Sequence, residues 1–428
     1  MIKLNPPRII IAVLFLGLIF SGLYAQQKGM PFPSGHSSVL IEKNILFSDT
    51  AAVCYITFRV LYDDLFFVRN GSQYSSGFTL DIDIINDNKI VDRQSIHKDV
   101  SVSSYDSTKS ETGFIQGLIK INIARQDYTF KPYSSFSNSD QNIPLDTIPI
   151  HWKLFLKEKI GRPIVINGTK ISCNSNLEFQ PLNYLGSIPY SPHSYDLLIP
   201  VLDNSIDELN VKVEQDEKEI FNKQVKDFYP YAFSEEECEG RLVVNKINGM
   251  KDVKYFHLKG INLPLVEGNA QVIISGKDTS KARFNFQVMW HGKPKTLMNP
   301  ELAIQVLKAI ENENIIDSLL SFSRKDYGKV LDKYWDDKFP GKKYSFNQLK
   351  DEFYRRADYA MNNFGSVTNQ VGAKTDRGII YLCYGKPDDI KRIYLSENAV
   401  TEIWEYKTLK KIFSFTDKTG LGNYTRDQ

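Results

Sequence analysis

Alternating apolar and polar side chains mark the first part of the chain as β structure. Between residues 78 and 84 every second side chain is apolar, namely Phe78, Leu80, Ile82 and Ile84. Because successive side chains of a strand point to opposite faces, this pattern predicts a half-buried antiparallel strand. Asn70-Gly71 predicts a hairpin turn before it. Further strands are predicted at residues 54–62, 90–93 and 114–123.

Short strands at this spacing are typical of an immunoglobulin-like sandwich, which we predict over residues 26–154. Within it, residues 134–144 are rich in Ser, Asn, Asp and Gln, a composition that predicts a linker or long loop. A second series of strand-like segments predicts another immunoglobulin-like sandwich over residues 155–295. Its strands are expected at residues 201–213, 219–225, 242–245, 255–258, 270–274 and 283–290.

The spacing of apolar residues becomes helical after Pro300. A clear stripe comprises Phe353, Ala357, Ala360, Met361 and Phe364, and Ser345 is predicted to cap that helix. Strand patterns return at residues 378–384, 402–406 and 412–415. We therefore predict a multidomain, mainly β protein that ends in an α+β domain over residues 296–428, with helices followed by a small antiparallel sheet.

The N-terminus resembles a secretory signal peptide. Lys3 and Arg8 precede an uninterrupted apolar run over residues 9–20, and Ala25 follows at a suitable cleavage position. A membrane anchor is the alternative, but a membrane-spanning helix needs about 20 apolar residues, and this run is shorter. We expect residues 1–25 to be removed on export to the periplasm or cell surface of a Gram-negative-type bacterium.

Charge and cysteine usage narrow the class of protein further. The 428 residues include 53 basic and 51 acidic ones, a balance that argues against a nucleic-acid-binding protein. Export permits disulfides, but the scattered cysteines Cys54, Cys173, Cys238 and Cys383 do not define a pairing. Cys383 lies in an apolar, strand-like run and is expected to be a small buried side chain.

Several C-terminal segments, taken in order, resemble the GWxTD-domain family. They are Tyr334-Trp335-Asp336-Asp337, the helical segment from Glu352 to Phe364, Gly372-Ala373-Lys374-Thr375-Asp376-Arg377-Gly378, Tyr384-Gly385-Lys386-Pro387-Asp388, Trp404-x-Tyr406 and Phe413-x-Phe415. The resemblance covers about residues 300–428, and Ala373 replaces the Trp that names the family. It selects these candidate residues for a structural or binding role: Trp335, Tyr354, Arg356, Tyr359, Gly372, Thr375, Asp376, Arg377, Gly378, Gly385, Pro387, Asp388, Trp404 and Tyr406.

Turn and packing chemistry accounts for most of these residue types without catalysis. Gly372 and Gly378 are expected to adopt positive φ. Thr375 and Asp376 are expected to accept hydrogen bonds from nearby backbone amides, and Arg377 to pair with a carboxylate. The aromatic residues of the last strands are expected to pack against the helix that ends near Phe364.

Three functional hypotheses remain open. The leading one is a non-enzymatic envelope protein that binds another envelope protein, with its sandwiches as spacers or docking surfaces. The alternative is a periplasmic hydrolase that uses Asp376 with Asp388 or Asp389 as paired carboxylates, as in glycoside hydrolysis. A carbohydrate-binding module, the third, would need a row of exposed aromatic residues.

Other ligands have weaker sequence signals. The histidines are isolated from one another and the chain has no cofactor motif, so we expect neither a metal nor a cofactor, and no small-molecule substrate is indicated. The basic runs 341–343 and 355–356 are expected to be solvated, with a weak contact to an anionic membrane surface as the alternative.

Overall fold

The computed structural model describes residues 39–47, 52–110, 113–124, 126–139, 142–152, 159–170, 178–182, 187–247, 253–276, 281–338, 344–366, 369–394 and 399–427. The predicted signal peptide and Cys173 lie outside these residues. Within them, no helix is long and apolar enough to cross a membrane.

The first strands form two sheets that share one apolar core. They are β1 (Val39–Phe47), β2 (Ala52–Leu61), β3 (Val68–Asn70), β4 (Gln73–Asn86), β5 (Lys89–Val102), β6 (Phe114–Ile123), β7 (Tyr128–Phe136), β8 (Asn142–Pro144) and β9 (Ile148–Ile150), with a 3-10 turn at Tyr62–Asp64 and a short helix α1 (Tyr105–Thr108). One sheet has the order β1-β2-β6; the other has the order β3-β4-β7-β8, and in it β5 pairs with β4 and β9 pairs with β7. Phe58 of β2 and Phe78 of β4 meet in the core with ring centroids 5.0 Å apart. This is the first predicted sandwich.

The alternating pattern in residues 78–84 correctly predicted a strand, since Phe78, Leu80 and Ile82 are fully buried in β4. The hairpin turn before it is also confirmed, with Gly71 at a φ of 61°.

The linker predicted at residues 134–144 is wrong. β7 and β8 pair here, with Ser134 opposite Ile143, and Ser134 is fully buried. Polar side chains do not prevent strand formation where the backbone groups pair in a ladder.

The second sandwich is formed by the next strands. They are β10 (Ile164–Lys170), β11 (Glu178–Pro181), β12 (Ser187–Pro189), β13 (Tyr195–Val201), β14 (Leu209–Gln215), β15 (Lys218–Val225), β16 (Phe228–Tyr229), β17 (Ala232–Cys238), β18 (Arg241–Ile247), β19 (Lys254–Leu258), β20 (Gly268–Gly276) and β21 (Ala282–Met289). One sheet has the order β16-β19-β13-β10-β11-β18-β17 and the other β12-β21-β20-β14-β15.

The single strand predicted at residues 201–213 is wrong, because β13 ends at Val201 and β14 begins at Leu209. The Asp203 carboxylate accepts a hydrogen bond from the backbone N–H of Ser205, with 3.0 Å between the nitrogen and the oxygen. Such a local bond favours a turn over continued strand pairing.

The two sandwiches are packed on each other through the β1-β2-β6 sheet. The sequence of β2 is almost entirely apolar because both faces of this strand are buried. Ile56 and Phe58 face the first core, whereas Tyr55 joins Phe233 and Tyr255 of the second sandwich in a separate apolar cluster. We call this contact the inter-sandwich interface. The four sheets therefore form four successive layers.

The C-terminal part has the predicted order of helices followed by strands. The helices are α2 (Pro300–Gln305), α3 (Glu313–Leu320), α4 (Tyr327–Lys338), α5 (Gln348–Asn363) and α6 (Asp376–Tyr384), with 3-10 turns at Lys295–Met298, Val306–Ala309, Arg324–Asp326 and Gly372–Lys374. The strands are β22 (Asp389–Tyr394), β23 (Val400–Tyr406), β24 (Lys411–Asp417) and β25 (Thr425–Arg426), paired in that order. One core joins α5 to the sheet, with the rings of Phe364 and Trp404 5.3 Å apart.

Two local predictions in this part are wrong. Asn347, not Ser345, caps α5, because its side chain accepts a hydrogen bond from the Lys350 N–H at 3.0 Å. The strand predicted at residues 378–384 is helix α6. A short apolar run does not distinguish a strand from a buried helix by periodicity alone.

The cysteines differ in oxidation state. Cys54 and Cys383 are free thiols, the first buried and the second half-buried in α6. Cys238, at the end of β17, is disulfide-bonded.

Candidate functional site

The family motif lies where α5, the turn at 372–374 and helix α6 touch. A Cβ atom on Gly378 would lie 2.0 Å from the carbonyl oxygen of Gly372, and one on Gly372 would lie 2.1 Å from that of Ala360. Neither glycine has positive φ, so that prediction is wrong. Glycine is needed here because the backbones are in direct contact.

The residues between these glycines begin helix α6. The Thr375 hydroxyl accepts a hydrogen bond from the Gly378 N–H at 3.1 Å and donates one to the Gly372 carbonyl at 2.8 Å. Asp376 accepts a hydrogen bond from the backbone N–H of Arg426 in β25 at 2.7 Å. Thr375 therefore binds a nearby backbone amide, as predicted, whereas the amide that Asp376 binds is 50 positions away and joins α6 to the last strand.

A buried carboxylate on β23 is the electrostatic centre of the site. Glu402 is only 2% exposed and accepts hydrogen bonds from Arg377 at 3.2 Å, Arg392 at 2.9 Å and the Trp404 indole at 3.2 Å. The guanidinium of Arg377 also lies 3.8 Å from the ring centroid of Tyr424. The predicted carboxylate partner of Arg377 is thus Glu402, and the charged pair is almost inaccessible to solvent.

The other end of α6 is capped by Arg356 of α5. Its guanidinium donates to the carbonyl oxygens of Leu382 and Cys383, each at 3.3 Å, and to Glu352 at 2.7 Å. Gly385 follows with a φ of 76°, and a Cβ there would lie 3.2 Å from the Arg356 Cζ. Arg356 therefore satisfies helix carbonyls that would otherwise have no donor.

The aromatic candidates are packing residues. The Tyr354 hydroxyl donates to the Ala303 carbonyl at 2.9 Å and accepts from the Trp335 indole at 3.4 Å. Burial raises the pKa of Tyr354. Tyr359 is half-exposed and stacks on Tyr381 with centroids 4.5 Å apart.

Three further positions complete the domain core. Trp404 is buried against Phe364, and the buried Tyr406 donates a hydrogen bond to the Gly385 carbonyl at 2.8 Å. Pro387 is buried in the turn after α6. Ala373, in place of the family Trp, is 2% exposed within the same core, so this position belongs to the packed interior.

The paired carboxylates of the hydrolase hypothesis do not meet. Asp376 lies at the first residue of α6, whereas Asp388 follows the far end and accepts a hydrogen bond from the Lys407 N–H at 2.7 Å. A nine-residue helix is about 13 Å long. This exceeds the separation of about 5–9.5 Å that paired carboxylates require in glycosidases.

Metal-binding side chains do not cluster in the part of the chain that the structure describes, where no group of three or more His, Cys, Asp and Glu could hold an ion. His257 is largely buried and contacts Asp196 at 2.9 Å. Burial raises the pKa of Asp196, but hydrogen bonds from His257 and Gly260 outweigh it, so the net pKa is lowered.

Sequence reasoning missed Glu402 and Arg392. A signal was present, since Glu402 shares the strand face of Trp404 and Tyr406. An acid on the buried face of a strand implies a cationic partner.

A comparison with family models gives a match in the C-terminal part of the chain. A family model described as the GWxTD domain matches residues 271–425, whereas a comparison with curated proteins gives no match. The matched segment begins within β20, upstream of the predicted start near residue 300. Residues 271–425 of this chain are therefore a GWxTD domain.

Proposed function

We propose that this chain is an exported envelope protein that binds another envelope protein without catalysis, and that its GWxTD domain is the docking module. The observation that carries this proposal is strand β22, the longer of the two outer strands of the C-terminal sheet. Ile390, Ile393 and Tyr394 of β22 are 47%, 45% and 73% exposed. An apolar edge strand with unpaired backbone groups is a site where an extended segment of a partner can add a strand.

The charges of β22 indicate which partner fits. Lys391 and Arg392 occupy its centre. A symmetric pairing of two copies about the centre of β22 places Lys391 against Lys391 or Arg392 against Arg392, which is unfavourable. An acidic, alternating strand of a different protein is complementary to this edge.

Two observations support export. The N-terminal sequence resembles a signal peptide. Cys238 is disulfide-bonded, and disulfides persist in oxidising compartments such as the bacterial periplasm. The periplasm and the cell surface both fit this chemistry.

The test compares two exposed isoleucines on edge strands. The Ile393→Asp variant places a negative charge on β22, whereas Ile90→Asp makes the same change on β5, where Ile90 is 57% exposed. Crosslinking and co-purification from native envelopes should yield a stoichiometric partner with the wild-type chain and with Ile90→Asp, but not with Ile393→Asp.

Two results would contradict the proposal. One is equal recovery of the partner with both variants. The other is turnover of any substrate that disappears in Asp376→Asn, since that would make the protein an enzyme.

A further inference from the structure

The inter-sandwich interface contains a carboxyl group with too few partners. Glu235 of β17 is 3% exposed. Its Oε1 accepts a hydrogen bond from the side-chain amide of Asn44, which lies on β1 of the first sandwich. Its Oε2 has no hydrogen-bond partner among the described residues. This one side chain therefore connects the two sandwiches and is only half satisfied.

The surroundings give an ionised Glu235 little solvation. The adjoining cavity has a volume of about 10 Å³ and is lined by Tyr55, Phe233 and Tyr255 among others. A space of about 10–15 Å³ holds one water molecule, so a hydration shell cannot form. Burying a carboxylate without compensating partners strongly favours its protonated form.

Neighbouring charges do not replace the missing partner. The titratable groups that face or adjoin Glu235 lie on β1, β2, β17, β19 and the segment before β10. They are Glu42, Lys43, Cys54, Tyr55, Glu236, Tyr255 and Arg162. The only guanidinium among them, that of Arg162, contacts Glu42 at 3.4 Å and lies 4.5 Å from the centroid of the Phe286 ring.

The balance of these effects raises the pKa of Glu235 to about 8: burial is the largest cause, the Asn44 hydrogen bond opposes it, and the charge of Glu42 adds to it. Burial also raises the pKa of Cys54 and of Tyr55 to about 12, so both stay neutral where Glu235 titrates. Burial lowers the pKa of Lys43.

We infer that Glu235 makes the inter-sandwich interface pH-sensitive: protonated, it lets the two sandwiches stay packed, and when its proton is released to solvent the carboxylate drives them apart. This inference concerns the joint between the sandwiches and is independent of the proposed docking function. It adds a conformational transition in mildly alkaline solution.

The direction of the pH dependence follows from proton linkage. The folded chain holds the Glu235 proton more tightly than the unfolded chain, in which a Glu carboxyl has a pKa of about 4.3. The contribution to stability is therefore complete below that value and is lost as the pH rises through about 8. A shift of this size corresponds to an equilibrium constant for folding that is lowered by about 10³- to 10⁴-fold.

The experiment compares the wild-type chain with Glu235→Gln and a matched control, Glu237→Gln. Glu237 lies on the same strand and reaches the first sandwich, but it pairs with Lys98 at 2.7 Å and its side chain is 32% exposed. Amide hydrogen exchange is measured from about pH 6 to pH 9 and corrected for the intrinsic effect of pH. The wild-type chain and Glu237→Gln should lose protection in β1 and β17 as pH rises, at least tenfold more than in β4 and β20, whereas Glu235→Gln should not.

A second measurement covers the case in which Glu235→Gln fails to fold. Infrared spectroscopy of the wild-type chain should show a protonated carboxyl band at pH 7 that disappears with a midpoint near 8. Three results would each overturn the inference. The first is absence of that band at pH 7. The others are the same pH dependence of amide protection in Glu235→Gln as in the wild-type chain, or a uniform loss of protection in both sandwiches.

Discussion

Two buried glutamates in this protein are held in opposite ways. Glu402, in the GWxTD domain, accepts hydrogen bonds from two arginines and an indole. Glu235, between the sandwiches, accepts one from a neutral amide. Both are almost fully buried, so exposure does not distinguish them. The difference lies in the number and charge of their donors, and it separates a permanent structural centre from a contact that pH can alter.

The two regions around these glutamates also differ in the role that we expect of them. Around Glu402, side chains from α6, β22 and β23 all donate hydrogen bonds to one carboxylate, as expected of a rigid module. Around Glu235, two separately packed cores meet at an apolar cluster that adjoins one incompletely satisfied carboxyl group. We therefore expect the GWxTD domain to keep its shape and the inter-sandwich interface to be the adjustable part.

The largest effect is expected from removing the buried donor to Glu402. Arg377→Met removes one of the two positive charges that contact the buried Glu402 carboxylate. This loss should lower the free energy of unfolding by about 3–5 kcal/mol. Arg392 binds the same carboxylate but its side chain is 62% exposed, so Arg392→Met should cost about 1 kcal/mol or less. Urea denaturation of both variants measures the difference, and similar losses would show that burial does not decide the strength of this pair.

The second prediction concerns the backbone contact that brings Arg377 to Glu402. Gly378→Ala would place a Cβ 2.0 Å from the Gly372 carbonyl oxygen, so we expect a loss of about 1–3 kcal/mol or more. A Cβ added to Gly328 in α4 would instead point into open space, with no atom within 4 Å. Gly328→Ala should therefore raise stability by about 0.5–1 kcal/mol. Thermal denaturation distinguishes the two signs, and a stable Gly378→Ala variant would refute the requirement for glycine.

The third prediction concerns the Asn44 side chain, the donor that Glu235 has among the described residues. Asn44→Ala should cost about 1–2 kcal/mol near pH 6, where the carboxyl is protonated. Because the Asn44 hydrogen bond favours the ionised form, its loss should raise the pKa of Glu235 further. The variant should consequently lose more stability at pH 9 than at pH 6. Denaturation curves at both values test this, and a loss that does not depend on pH would separate Asn44 from the titration.

The smallest effect is expected at the exposed edge of the same interface. Lys98 and Glu237 form an ion pair that is about one-third exposed, and Glu237→Gln should change stability by no more than about 1 kcal/mol. Adding salt should reduce even that change, since screening acts mainly on exposed pairs. Urea denaturation measures the change. If Glu237→Gln lost more stability than this, or if the loss did not depend on salt, the pair would be a main contact between the sandwiches.

Much of the fold was predictable because the local signals were strong. The alternation in β4, its Asn-Gly turn and the apolar stripe of α5 each predicted the correct element. The failures came where a local signal was short or ambiguous. Residues 378–384 form a helix because Thr375 caps it and Gly378 lets it pack against the preceding turn, two effects that an apolar run does not encode.

Most residues of the candidate site could be selected from the sequence, but its central carboxylate, Glu402, could not. Thr375, Asp376 and Arg377 make the kinds of bonds that their chemistry implied. Glu402 was missed because a single acidic residue in a strand gains significance only once its face is known to be buried. Asp376 and Asp388 were considered together as a carboxylate pair for acid–base catalysis, yet they lie at opposite ends of helix α6.

The sequence by itself determined many of the strands, the Asn70-Gly71 turn, the order of helices and sheet, and the resemblance to the GWxTD domain, because periodicity, turn chemistry and motif order are local properties. Only the tertiary structure decided that β2 is buried on both faces, that α6 is a helix, and that two similar carboxyl groups have different partners. The physical reason is that burial and charge pairing are set by residues distant in the chain: Asn44 and Glu235 are 191 positions apart. No local pattern specifies such a contact.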